Sequence, residues 1–264
     1  MKFSLKSLSG QETDQFVHAY FQNLNHTVDD YYRKVVVKNA DAYEVVLEAK
    51  SIGTCMIDEE KTLVLWEFHE AHMGLSQAWL EEMIEENRIK RALVSTRQIP
   101  FLSLCLEYQK AIRIESYLFE PQQDFLKLES PASDLIFRLA DQIEIEACKA
   151  IVGEPYEGYL KNLYDNKGLF VLAKADFVLC MGELRVDENT PNYSDLGMAT
   201  HPEYRGKGLA TYTVSCLLAE TKKRGLVANA ACDFDNRASK KTLEKAGMMA
   251  SHRLLEISFE SVEV

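Results

Sequence analysis

The sequence predicts a mixed α/β fold in two parts. Three observations carry this: helical and strand periodicities alternate along the whole chain, a polar stretch with two prolines falls near the middle, and a strand, a Gly-rich loop and a helix follow one another in the second half. A chain of 264 residues is about enough for two domains, and 47% hydrophobic residues can fill a sizeable core in each.

The first residues, Met1-Lys2-Phe3-Ser4-Leu5-Lys6-Ser7, are too polar for a signal-peptide core, and no apolar run approaches membrane-spanning length, so a cytoplasmic protein is expected. From Gln11 to Leu24, Phe16, Val17, Tyr20, Phe21 and Leu24 share one helical face. Tyr43 to Ala49, Gly53 to Ile57 and Thr62 to Trp66 read as short strands of a meander. A helix follows over Leu75 to Glu86, its apolar side opposed by Glu81, Glu82, Glu85 and Glu86. Ala92 to Ser95 and Arg113 to Phe119 read as strands, with Phe101 to Ala111 helical between them.

The segment Glu120 to Asp134 contains Pro121 and Pro131, and the domain boundary is placed inside it, giving domains 1–124 and 125–264. Phe125-Leu126-Lys127-Leu128 is readable as the first strand of the second domain. Ser133 or Asp134 then caps a helix expected to reach Val152, and a second helix covers Tyr156 to Tyr164. Gly168 to Ala173 and Phe177 to Val186 are strands joined by a short turn, and the loop from Asp187 to Tyr193 leads to the strand that starts near Asp195.

Leu196-Gly197-Met198-Ala199-Thr200 suits a buried strand that Pro202 ends. Gly206 and Gly208 then let the backbone curl between the cations Arg205 and Lys207, and a helix starts at Leu209. Such a loop aims N–H groups and the positive end of a helix dipole at a common point, which suits a pyrophosphate; a plain surface turn is the other reading. A Walker loop is excluded, because Lys207 lies between the glycines and Leu209 follows Gly208. A Rossmann fingerprint needs three glycines in the first βα turn, and only two are present.

Arg205-x-x-Gly208-x-Ala210 resembles the Arg/Gln-x-x-Gly-x-Gly/Ala signature of the GNAT superfamily of N-acyltransferases. Its context resembles that family too: a strand-like Leu226 to Cys232 follows the helix, then Asn236 opens a helix that closes in Lys245-Ala246-Gly247-Met248, similar to the family's Lys-x-Gly-Phe. The resemblance covers about the last hundred residues and implies a GNAT-like fold for the second domain, with acetyl-CoA as donor substrate. It implies that Met198, Ala199 and Thr200 face the pantetheine, that Arg205, Gly206, Lys207, Gly208, Leu209, Ala210 and Thr211 hold the pyrophosphate, and that Asn236 and Ser239 contact the cofactor. The first domain reads as a smaller or degenerate α/β domain, a diverged copy of the same fold that has lost the cofactor loop.

Members of this family often carry a Tyr seven residues after the Asn, to protonate the leaving thiolate; here the position is Leu243. Glu183 matches the place where members often keep a base, and a structural pair with Arg185 or Lys207 is its other reading. Tyr193, Tyr204, Asp233 and His252 are weaker candidates, and Cys232 reads as a small buried hydrophobe. The function expected is transfer of an acetyl group to a primary amine of a small molecule or peptide; the alternative is a non-catalytic CoA-binding protein or sensor. A net charge of -11 opposes nucleic acid or anionic membrane as partner and is compatible with a cationic amine, or with solubility alone. A monomer or homodimer is expected.

His69-Glu70-Ala71-His72 departs from the H-E-x-x-H zinc pattern, which needs its histidines four apart; here they are three apart with Glu70 between. The six cysteines show neither ligand spacing nor a disulfide framework. No metal is expected.

Overall fold

The computed structural model describes residues 2–24, 32–122, 128–153, 158–186, 188 and 190–260. The chain divides into two compact units, Met1–Tyr117 with His252–Val264 and Leu118–Ser251. The boundary expected between residues 124 and 125, and residues 125–127 of the strand expected at 125–128, lie outside the described residues, and Leu128 is in no strand.

The first unit begins with β1 (Phe3–Ser7), α1 (Gly10–Asn23), β2 (Asp41–Leu47), β3 (Lys50–Ile57) and β4 (Thr62–Phe68). It continues with α2 (Ser76–Glu85), β5 (Arg91–Ser95), α3 (Ile99–Glu107) and the first part of β6 (Ala111–Pro121). Strand β1, absent from the sequence reading, pairs antiparallel with β2 from Phe3↔Leu47 to Ser7↔Tyr43. Helix α1 starts where it does because Ser9 and Glu12 form a capping box, each satisfying the other's backbone N–H. The meander of β2, β3 and β4 is antiparallel as expected, and β4 then runs parallel to β5.

The last strand, β12 (Met248–Ser258), completes this sheet: Leu254 to Ser258 pair antiparallel with Ser95 to Arg91. Ile257 and Phe259 thereby join Trp66, Trp79, Leu80 and Met83 in the core of the first unit. A second core on the opposite face packs Tyr20, Phe21 and Tyr32 against Val64 and Leu65.

The second unit contains β7 (Leu135–Leu139), α4 (Ile145–Val152), α5 (Tyr159–Asp165), β8 (Leu169–Lys174) and β9 (Phe177–Arg185). After them come β10 (Tyr193–Thr200), α6 (Leu209–Lys223), β11 (Val227–Asp233) and α7 (Arg237–Lys245). Strands β7 to β10 are mutually antiparallel in sequence order, and β11 lies parallel to β10. Helices α4 and α5 cover one face over Val171 and Met181, and α6 covers the other through Leu209 on Leu172 and Cys180.

The helix expected to start at Ser133 or Asp134 is corrected here. Leu135-Ile136-Phe137-Arg138-Leu139 is a strand paired with β8, and Phe137 stacks on Phe170 with centroids 5.2 Å apart. Asp134 instead pairs with Lys174 at 2.7 Å. The helical start lies at Asp141, whose capping box with Glu144 opens a short 3-10 turn leading into α4. Apolar residues at 135, 136 and 139 fit either periodicity, and a run so rich in branched and aromatic side chains prefers the pleated surface. The next helix, expected from Tyr156, begins at Tyr159, and residues 156–157 of its expected start lie outside the described residues. Among the described residues no helix is long and apolar enough to cross a membrane.

Candidate functional site

The parallel strands β10 and β11 part soon after they meet. Their ladder covers Tyr193↔Val227, Ser194↔Ala228 and Asp195↔Asn229, while β10 remains paired with β9 as far as Thr200↔Cys180. Past Asp195 the other edge of β10 is therefore released. The N-termini of α6 and α7 border the opening, leaving a cavity of about 530 Å³.

Met198, Ala199, Thr200, Arg205, Gly206, Gly208, Leu209, Ala210, Thr211, Asn236 and Ser239 all line this cavity. Lys207 does not; its ammonium sits 4.6 Å from the centroid of the Tyr204 ring, because an exposed cation beside an aromatic face finds a partner there. The sequence reading missed Lys241 and Lys245, which bring two cations one helical turn apart to the wall. That spacing was legible on α7, but nothing in the sequence said which face of α7 turns inward.

The loop has the geometry an anion needs. Gly206 and Gly208 have φ of +76° and +78°, the left-handed region that other residues enter only with strain, and a Cβ on either would meet nothing within 4 Å. Gly208 is also the N-cap of α6, and no side chain caps that helix. The N–H groups of Leu209, Ala210 and Thr211, which have no acceptor within the helix, thus open on the cavity with the positive end of the dipole. Asn236 is held differently: its Oδ1 accepts from Ser239 N at 3.0 Å, so it caps α7 while standing at the cavity wall.

Glu183 does not line the cavity. It lies on β9 opposite Gly197, the residue before Met198, and its side chain is 8% exposed. Tyr159 donates to its Oε2 at 2.7 Å, and the Arg185 guanidinium is paired with the same oxygen. Arg185 also reaches Asp195 Oδ2 at 2.7 Å. Burial would lower the basicity of the Arg185 guanidinium, but the charges of Asp195 and Glu183 outweigh it and hold the group firmly protonated. Burial raises the Tyr159 phenol well above its usual range, so it remains a donor at working pH. The expected pair between Glu183 and Arg185 is thus present.

Leu243 is buried in the core. Burial pushes the Cys232 thiol up to about 11, which suits a small hydrophobe and not a nucleophile. His252 falls in the first unit, with its Nδ1 3.1 Å from Thr96 Oγ1. Tyr204 lines the cavity and packs its ring against His201 and Phe177. Asp233 is exposed at the end of β11, and Tyr193 is half-buried at the start of β10.

The first unit contains the same topology with different contents. There β4 and β5 are parallel only at Thr62↔Arg91 and Leu63↔Ala92. Trp66 and Phe68 stand three and five residues beyond that ladder, as Met198 and Thr200 stand beyond Asp195. Phe101 is the third residue of α3, as Ser239 is of α7. The rings of Trp66, Phe68, Phe101 and Trp79 pack together in the core there. His69 and His72, on the connection to α2, gather no third ligand among the described residues.

Family comparison matches two stretches, an acetyltransferase (GNAT) domain over residues 9–122 and the acetyltransferase (GNAT) family over residues 138–248. No curated protein matches the chain. Among solved structures, a GNAT-family acetyltransferase from Colwellia psychrerythraea is similar at 22% identity, covering 98% of this chain and 100% of its own, with a TM-score of 0.84. A GCN5-related N-acetyltransferase from Sphaerobacter thermophilus is 12% identical over 99% of this chain and 98% of its own, TM-score 0.60. A tandem GNAT protein from the clavulanic acid biosynthesis pathway is 10% identical over 100% of this chain and 99% of its own, TM-score 0.55. At these identities the likeness is one of fold. The first half, expected only as a diverged copy, is thus matched to the family directly, and the chain carries two GNAT acetyltransferase domains, one over residues 9–122 and one over residues 138–248.

Proposed function

We propose that this protein is an acetyl-CoA-dependent N-acetyltransferase that transfers the acetyl group to a primary amine of a small molecule or peptide by direct attack. The observation that carries this reading is the N-terminus of α6, capped by no side chain and opening through Gly206 and Gly208 onto the cavity.

The residues fit the donor. The N–H groups of Leu209, Ala210 and Thr211, with Arg205 beside them, suit a pyrophosphate, and Lys241 and Lys245 add positive charge along the wall. The released edge of β10 at Met198, Ala199 and Thr200 offers backbone groups to the amides of the pantetheine arm, with Asn236 and Ser239 across the cavity. Acetyl-CoA, when bound, supplies an acetyl group activated as a thioester, which a neutral amine can take up as the thiol departs. Glu183 is the residue assigned to receive the amine's proton. Leu243, buried in the core, offers no proton to the departing thiolate, so that proton comes from water.

Leu243 also favours a second reading, a protein that binds CoA and transfers nothing. Thiol release from acetyl-CoA across a panel of amines separates the two. Turnover on any amine supports the transferase, and binding with no turnover on all of them supports the sensor.

A further inference from the structure

The two oxygens of Glu183 are treated differently. Oε2 takes the Tyr159 hydroxyl at 2.7 Å and the Arg185 guanidinium, and it is the oxygen that lies against Gly197. Oε1 has no hydrogen-bond partner among the described residues, although the side chain is only 8% exposed. A buried carboxylate normally saturates both oxygens, because a lone pair left without a donor costs desolvation energy. Among the described residues, the donors that reach Glu183 converge on Oε2.

From this we infer that Tyr159, Arg185 and Gly197 form a clamp that positions Glu183, turning Oε1 toward the amine of the acceptor. The inference rests on the acetyltransferase reading above and assigns roles to residues that the family signature does not reach. Each member contributes something separate. Tyr159 holds Oε2 from α5 through its hydroxyl. Arg185 holds it from β9 and is itself fixed to β10 by Asp195, so the orientation of the carboxylate is tied to the strand that borders the cavity. Gly197 supplies the space: a Cβ there would stand 2.5 Å from Glu183 Oε2 and 3.2 Å from Arg185 Nη1. The ionisable groups facing Glu183 are Tyr159 from α5, Cys148 from α4, Arg185 on its own strand and, through Arg185, Asp195 on β10.

The step the clamp serves is simple in its balance. The amine nitrogen loses one proton to Oε1 as it forms its bond to the acyl carbon, the carbon–sulfur bond breaks, the thiolate takes a proton from water, and Glu183 returns its own proton to solvent.

The test uses the full chain with acetyl-CoA and benzylamine, 1,4-diaminobutane and a tripeptide with a free N-terminus as acceptors. In Tyr159→Phe kcat falls at least tenfold while KM for the acceptor and the Kd for acetyl-CoA stay within about twofold. In Gly197→Ala, which keeps every donor and only displaces the carboxylate, kcat falls at least tenfold. Full kcat in Tyr159→Phe, or full kcat in Gly197→Ala, overturns the clamp. So does acetyl-CoA binding without turnover on all three amines. Absence of acetyl-CoA binding by the unmodified protein is a different failure, that of the donor site itself.

Discussion

Trp66 and Phe101 pack with ring centroids 5.7 Å apart where β4 parts from β5, the place that in the second unit is open between Met198 and Ser239. The same separation of parallel strands is thus filled by aromatic side chains in one unit and left as a cavity in the other. One acetyl-CoA per chain is therefore expected. Phe101→Ala, which truncates a side chain that is 2% exposed, should cost about 3–5 kcal/mol of stability and leave the affinity for acetyl-CoA unchanged. Thermal unfolding together with calorimetry reads both.

Lys241 and Lys245 stand at the cavity wall and are exposed. Removing either ammonium should weaken acetyl-CoA binding by about twofold to fivefold, the effect of one solvated ion pair. The loss should shrink as salt is raised from 0.05 to about 0.5 M, because screening removes what the mutation removes. A loss that is independent of salt would point to packing instead of charge.

Glu144 accepts both guanidinium nitrogens of Arg138, at 2.7 and 2.8 Å, and receives Asp141 N at 2.8 Å. Burial pulls its acidity toward the neutral form, but the bonds from Arg138 and Asp141 prevail and its pKa is lowered. A carboxylate with a depressed folded pKa adds stability that is fully present above its unfolded value and is lost as pH falls through the folded one. Glu144→Gln should therefore destabilise the second unit by about 2 kcal/mol at pH 7 and by progressively less below about pH 4.5. Urea titrations at pH 7 and pH 3.5 check the sign; an equal loss at both contradicts it.

Ile257 and Phe259 follow the second unit in sequence and lie in the core of the first. Ile257→Ala should destabilise the first unit by about 2–5 kcal/mol with no change at the cavity beside α6. Hydrogen exchange resolves this: protection should fall in β5, its ladder partner, and remain intact in α6.

The glycine loop before α6 was legible because its chemistry is local. Arg205, Gly206, Gly208 and Ala210 lie within six residues, and glycine at two positive-φ sites leaves a mark in any sequence. Most helices were legible too, since Phe16, Tyr20 and Leu24 or Trp79, Leu80 and Met83 repeat at helical spacing. Strand β7 was not, because Leu135, Ile136 and Leu139 satisfy two periods at once and only the partner strand β8 decides between them. The clamp on Glu183 was half-legible: Arg185 is two residues away on the same strand, whereas Tyr159 and Gly197 are brought in by tertiary packing. The aromatic filling of the first unit was hidden for a related reason. Trp66, Phe68 and Phe101 read as ordinary core residues, and their meaning appears only when their positions are set against those of Met198, Thr200 and Ser239.

The central claim, that the second unit holds acetyl-CoA at the N-terminus of α6, is tested most directly by calorimetric titration of the full chain and its Gly208→Val variant. Gly208 has φ of +78° and its open side faces the loop, so a branched side chain there both strains the backbone and intrudes on the anion's place. The expected result is one acetyl-CoA bound per chain, with binding abolished in Gly208→Val while the unfolding transition is retained. Undiminished binding by a folded Gly208→Val, or two equivalents bound per chain, contradicts the account.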